Sequence, residues 1–119
     1  MNNHVLEIYN EDDKLLLSIG EEVIEETTML ITVTGEITNE VSHEFEDEVM
    51  AALSVCKNLK LDFSKVTYIA SMALKSLLYI QRIIDDMPDS AMLLVNVSPQ
   101  VMAILNETGF SDILEIENN

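Results

Sequence analysis

The stretch Leu61-Asp62-Phe63-Ser64-Lys65-Val66-Thr67-Tyr68-Ile69-Ala70-Ser71-Met72-Ala73-Leu74 changes its periodicity part-way, and that change decides the fold class. Leu59–Phe63 reads as a short strand, and Val66–Ile69 is apolar and β-rich, either strand or the approach to a turn. From Ser71 to Met87, Leu74, Leu77, Leu78, Ile80, Ile83 and Ile84 crowd one broad face at helical spacing, and Met87-Pro88-Asp89 ends the pattern. Downstream, Ala91–Val97 is a near-continuous apolar run, which predicts a strand buried on both faces. Ser98-Pro99 then supplies a cap and a first-turn proline for a third helix, with Val101, Ile104 and Leu105 on its core face and Gly109 as its stop. Ile113–Ile116 reads as a closing strand or a last half-turn.

Upstream the same alternation holds. Val41, Phe45, Val49, Ala52, Leu53 and Cys56 mark one face of an amphipathic helix, with Thr38 or Asn39 as its expected cap. Before Gly35 the chain reads as strands. They are His4–Tyr9, then Leu15–Ile19 with Val23–Glu26 as a possible edge continuation, and Leu30–Thr34. Strands alternating with helices imply crossover connections and a partly parallel sheet. The expected fold is therefore α/β: one domain with a mixed sheet, about three to four helices, and extra strands at the N-terminus.

Composition narrows the function. The chain has 119 residues, 48% of them hydrophobic, enough for a core without metal or disulfide. Its formal net charge of −16 argues against nucleic acid and anionic membrane surfaces as partners. The acids are unevenly placed. Residues 1–48 hold 14 acids and one base, whereas residues 49–119 hold eight acids and five bases. Met1-Asn2-Asn3-His4 lacks the basic and apolar segments of a signal peptide, and no apolar stretch approaches membrane-spanning length. Cys56 is the single cysteine. A reduced, cytoplasmic protein is expected.

Little in the chain suggests catalysis. His4 and His43 have no partner at metal-ligand spacing, Gly20, Gly35 and Gly109 are too far apart for a phosphate loop, and Cys56 falls on an apolar helix face. The acidic runs read as solvated faces, so neither cofactor nor metal is expected. Ser71 stands apart. Its ordinary reading is a helix cap, and the same position also exposes its hydroxyl, where an added phosphate meets free N–H groups and a favourable dipole.

Gly35-Glu36-Ile37 before a helix, the central run from Leu61 to Leu74, Asn96-Val97-Ser98-Pro99 and Thr108-Gly109-Phe110 together resemble the STAS domain. That domain forms anti-sigma factor antagonists and the cytoplasmic tails of sulfate transporters. The resemblance spans roughly residues 24 to 117. It implies a STAS-like domain over residues 24–119 and an N-terminal extension over residues 1–23, an extra strand or hairpin on the same domain. It further implies a free-standing antagonist whose phosphorylated serine is Ser71, with no cofactor. The partner would be an anti-sigma factor with serine kinase activity, and a phosphatase would reset the switch. Thr38, Asn39, Ala70, Ser71, Met72, Ala73 and Lys75 are the implied partner-binding residues. The sequence departs from the family's pattern at this turn, where an aspartate, a second small polar residue and a glycine become Ala70, Met72 and Ala73. Thr38 likewise replaces the family's other common aspartate.

Two further readings compete with the switch. One is a degenerate STAS module that binds its partner constitutively. The other is an acidic carrier protein with a modified serine opening a helix, which requires an all-helical bundle. A small enzyme using the acidic N-terminal face ranks below both, because no base is paired with a nucleophile.

Overall fold

The computed structural model describes residues 3–118. Met1 and Asn2, which begin the expected extension and the stretch expected to lack a signal peptide, and Asn119, the expected end of the domain, lie outside the described residues. The chain runs β1 (Asn3–Tyr9), β2 (Leu15–Glu25), β3 (Thr28–Ile37), a 3-10 turn (Asn39–Val41), α1 (Ser42–Leu53), β4 (Asn58–Ile69), α2 (Ser71–Asp85), β5 (Ala91–Val95), α3 (Pro99–Thr108), a second 3-10 turn (Phe110–Asp112) and β6 (Ile116–Glu117). The six strands form one sheet in the order β1-β2-β3-β4-β5-β6. The first three are antiparallel, and each later strand joins its predecessor in parallel after a helical crossover. The α/β class and the element order match the expectation, and six strands exclude the helical bundle of a carrier protein.

Strand alternation places the core on one face of the sheet. Leu17 and Ile19, Ile31 and Val33, Leu59, Leu61 and Phe63, and Met92 and Leu94 are buried, while the residues between them are half-buried or exposed. Over this face α1 lays Phe45 and Val49, and α2 lays Leu74, Leu77, Ile80 and Ile84. The Phe45 and Phe63 rings meet with centroids 6.4 Å apart at 55°, a tilted contact that ties α1 to β4. Each of these large side chains contributes about 1.5–3 kcal/mol by leaving water.

Three expectations change. Residues Leu15–Glu25 form a single strand between β1 and β3, where Val23–Glu26 was expected as an edge. Hydropathy hid this because the second half of β2 is acidic and faces solvent at several positions. The expected boundary at residue 23 falls inside this strand. Secondly, β5 is buried on one face only, because Leu93 and Val95 remain half-buried. It also stops at Val95, since Asn96 turns to a positive φ of 54°. Thirdly, Ser71 is the first residue of α2, and the cap position belongs to Ala70. In contrast, the start of α3 is as expected. Ser98 accepts from the Val101 N–H, Pro99 opens the helix, and Gly109 ends it at a φ of 81°. The Ser98 hydroxyl also donates to the Val66 carbonyl, a β4 group beyond the end of the β4–β5 ladder.

A small titratable cluster holds the N-terminal hairpin to the first helix. His4 and Glu21 are directly opposite each other on β1 and β2. His4 Nε2 lies 3.4 Å from Glu48 Oε2 on α1. Burial, the hydrogen bond shared with Glu48 and the charge of that neighbour push the Glu21 carboxyl up to about 8. Its Oε2 is buried and finds no fixed donor.

Candidate functional site

Parallel pairing brings the expected site residues together. Ile37 and Ile69, the last residues of β3 and β4, are partners in the ladder, so both crossovers leave the sheet side by side. The Ala70 N–H donates to the Ile37 carbonyl at 2.9 Å, which ties the two exits. A second tie follows two residues on. Asn39 Oδ1 accepts from the Met72 N–H at 3.2 Å, so a side chain 33 residues away satisfies a free amide in the first turn of α2. Ala70 has no side-chain acceptor and cannot do this itself. Asn39→Ala is expected to lower stability by about 1 kcal/mol in urea denaturation, with Asn39→Asp retaining the parent value. An unchanged midpoint for the alanine variant would show that the bond contributes nothing.

Of the seven residues expected to contact a partner, Asn39, Ser71, Met72 and Lys75 are exposed and Thr38 is half-buried. Ala70 and Ala73 are buried, at 5% and 0% exposure, and shape the turn from below. Thr38 precedes the 3-10 turn with extended backbone and makes no side-chain cap. Ser71 and Lys75 are four residues apart on α2, so an anion at Ser71 falls within reach of that ammonium group.

Sequence reasoning missed the ground next to these residues. A trough of about 470 Å³ separates α1 from α2, lined by Ser42, His43 and Glu46 on one side and Met72, Lys75, Ser76 and Tyr79 on the other. Ser42 and Ser76 are buried at its floor, where two small side chains leave the helices imperfectly filled. Met72 and Tyr79 stand 51% and 53% exposed. The available signal was the spacing of Met72, Lys75 and Tyr79, which places an aromatic ring on the polar side of α2.

The remaining polar groups have structural roles. Burial would raise the Asp62 carboxyl, but hydrogen bonds from Ser64 and Asn96 and the charge of Lys65 hold it below its ordinary value. Asp62 thereby links β4 to the turn after β5. His43 pairs with Asp47 at 3.4 Å on the surface of α1, and Cys56 is buried. Among the described residues no cluster of three or more His, Cys, Asp or Glu could hold a metal ion. Among the described residues no helix is long and apolar enough to cross a membrane.

Comparison with known proteins agrees with this fold. The family model described as the STAS domain matches residues 21–119, leaving β1 and the first half of β2 outside it. Among solved structures, the unphosphorylated anti-sigma factor antagonist SpoIIAA aligns with a TM-score of 0.71 at 16% identity, covering 85% of this chain and 87% of its own. Its phosphorylated form, described as a Bacillus cell fate determinant, aligns at 0.66 and 14%, covering 85% and 90%. An anti-sigma factor antagonist from Mycobacterium paratuberculosis gives 0.70 at 18%, covering 92% and 89%. A sulfate transporter family protein from Wolinella succinogenes gives 0.67 at 18%, covering 80% of each chain. At these identities the likeness shows the fold. No curated protein matches the chain.

Proposed function

This chain belongs to the STAS domain family, and from that premise we propose that it is a cytoplasmic partner-switching regulator, a binding protein rather than an enzyme. It binds an anti-sigma factor that is also a serine kinase, and phosphorylation of Ser71 releases that partner until a phosphatase removes the group. The observation that carries this reading is the setting of Ser71. It is exposed in the first turn of α2, next to Met72, whose N–H is tied to Asn39 and whose side chain lines the trough. Structures of SpoIIAA exist in unphosphorylated and phosphorylated forms, which supports the same kind of switch for this fold.

A phosphoryl group adds about −1.5 to −2 charges at neutral pH. The nearby α1 surface already carries the acids Glu44, Glu46 and Asp47, and Lys75 is the one cation lining the trough. In the middle of a contact surface such a charge must be desolvated, which opposes docking. Phosphorylated protein, or Ser71→Asp, is expected to bind its partner at least tenfold more weakly than the parent in calorimetry. Mass spectrometry of protein from its native cells is expected to find the modified serine. An unmodified Ser71 in every condition, with normal binding by Ser71→Asp, would replace the switch with a constitutive binding module.

A further inference from the structure

We infer that the trough between α1 and α2 seats an amphipathic helix of a protein partner, with one flank basic and the other acidic. This rests on reading the surface as the partner-binding one, and it does not require that Ser71 be modified. The trough has two walls of different charge. No lysine or arginine occurs between Lys14 and Lys57, so α1 offers only carboxylates and one imidazole, with His43 and Glu46 facing the trough. The α2 wall presents Lys75, and Arg82 is exposed one turn beyond Tyr79. Half-exposed apolar side chains stand at the two ends, Met72 and Tyr79.

Dimensions choose the shape of the occupant. Met72 and Tyr79 are seven residues apart on one helix, about 10 Å along its axis. A docked helix brings apolar residues at i and i+7 to both ends from a single face, with charged residues left on either flank. An extended segment covers the same span in about three residue steps, from i to i+3, which points its first and last side chains to opposite sides. A second copy of this chain is a poor occupant, because its own α1 is acidic and each copy carries a net −16. The chemistry required is that of a different protein, whose helix sets lysine or arginine against Glu46 and a carboxylate against Lys75.

The test uses the purified full chain and a synthetic stapled helix of about four turns. The peptide carries leucines at i and i+7, lysines along one flank and glutamates along the other. Titration followed by amide chemical shifts is expected to give saturable changes confined to residues 42–46 and 72–79. Tyr79→Ala and Lys75→Glu, both at exposed positions, are expected to weaken binding at least tenfold while the circular dichroism spectrum stays that of the parent. Raising the salt from 50 to 500 mM should weaken it further. Absence of saturation, shifts centred elsewhere, or unchanged affinity in both variants would overturn the proposal. Each readout is independent of Ser71, so its failure is distinct from failure of the phosphorylation switch.

Discussion

Gly35→Ala is expected to destabilise the protein by about 3–5 kcal/mol. Gly35 sits on β3 with φ at +122°, a conformation that L side chains rarely adopt. A Cβ there would stand 2.8 Å from the Leu16 carbonyl oxygen and within 3.6 Å of Leu17. Those atoms belong to the backbone and side chains of β2, held in place because Leu17 is the ladder partner of Gly35. The clashing Leu16 oxygen is backbone, so it cannot yield as the end of a flexible side chain would. The β3–β4 ladder also shifts register on both sides of this residue, so the glycine lies where the sheet bends towards the site. Gly20→Ala is the control. Its Cβ would meet nothing closer than the Thr32 carbonyl oxygen at 3.9 Å, and its cost should stay within about 1 kcal/mol. Urea denaturation of both variants checks the contrast, and equal midpoints would contradict it.

Glu21→Gln is expected to stabilise the protein in alkaline solution and to leave it unchanged in acid. The Glu21 carboxyl titrates near 8 in the folded chain and near 4.5 when unfolded. Below pH 4.5 both states hold the proton. Between 4.5 and 8 the folded state keeps a proton that the unfolded state has released, so stability falls as pH rises through this window. Above 8 the loss is complete, because Glu21 and Glu48 then face each other as two carboxylates. His4 on β1 offsets this only while it is protonated. Glutamine removes the titration and donates to Glu48. Water reaches the pair, which brings the expected gain at pH 9 to the order of 1–2 kcal/mol. Thermal melts from pH 4 to 9 would show the two proteins diverging through the window. Parallel curves would mean that the carboxyls do not share a proton.

The elements that local periodicity specifies were legible in the sequence. Helices α1 and α2 repeat apolar residues every three or four positions, and Ser98-Pro99 and Gly109 bracket α3 as caps do. The neighbourhood of Ser71 was legible through the run that passes from strand to helix. What escaped depends on residues distant along the chain. The Asn39–Met72 bond spans 33 positions, and the cluster of His4, Glu21 and Glu48 joins three elements. Local propensity carries no trace of either. The place of β2 escaped, because its acidic second half reads as a sheet edge although the strand lies between β1 and β3. Tyr79 escaped because one aromatic residue on a polar helix face acquires meaning only when a trough lies beside it.

Strand order along the chain matches strand order across the sheet, and this has a consequence for how the molecule assembles. Each strand's first partner is the one made just before it, so no strand must wait for a distant segment to arrive. The hairpins β1–β2–β3 close through turns of a few residues, and every later addition brings one helix and one strand. Closure is cheap for the two hairpins, whereas each parallel addition must first close a whole helical crossover, so the later steps are the slower ones. On the ribosome the sheet can grow from its first edge as the chain emerges. The surface around Ser71 is then complete only once α2 has followed β4 onto a template already in place.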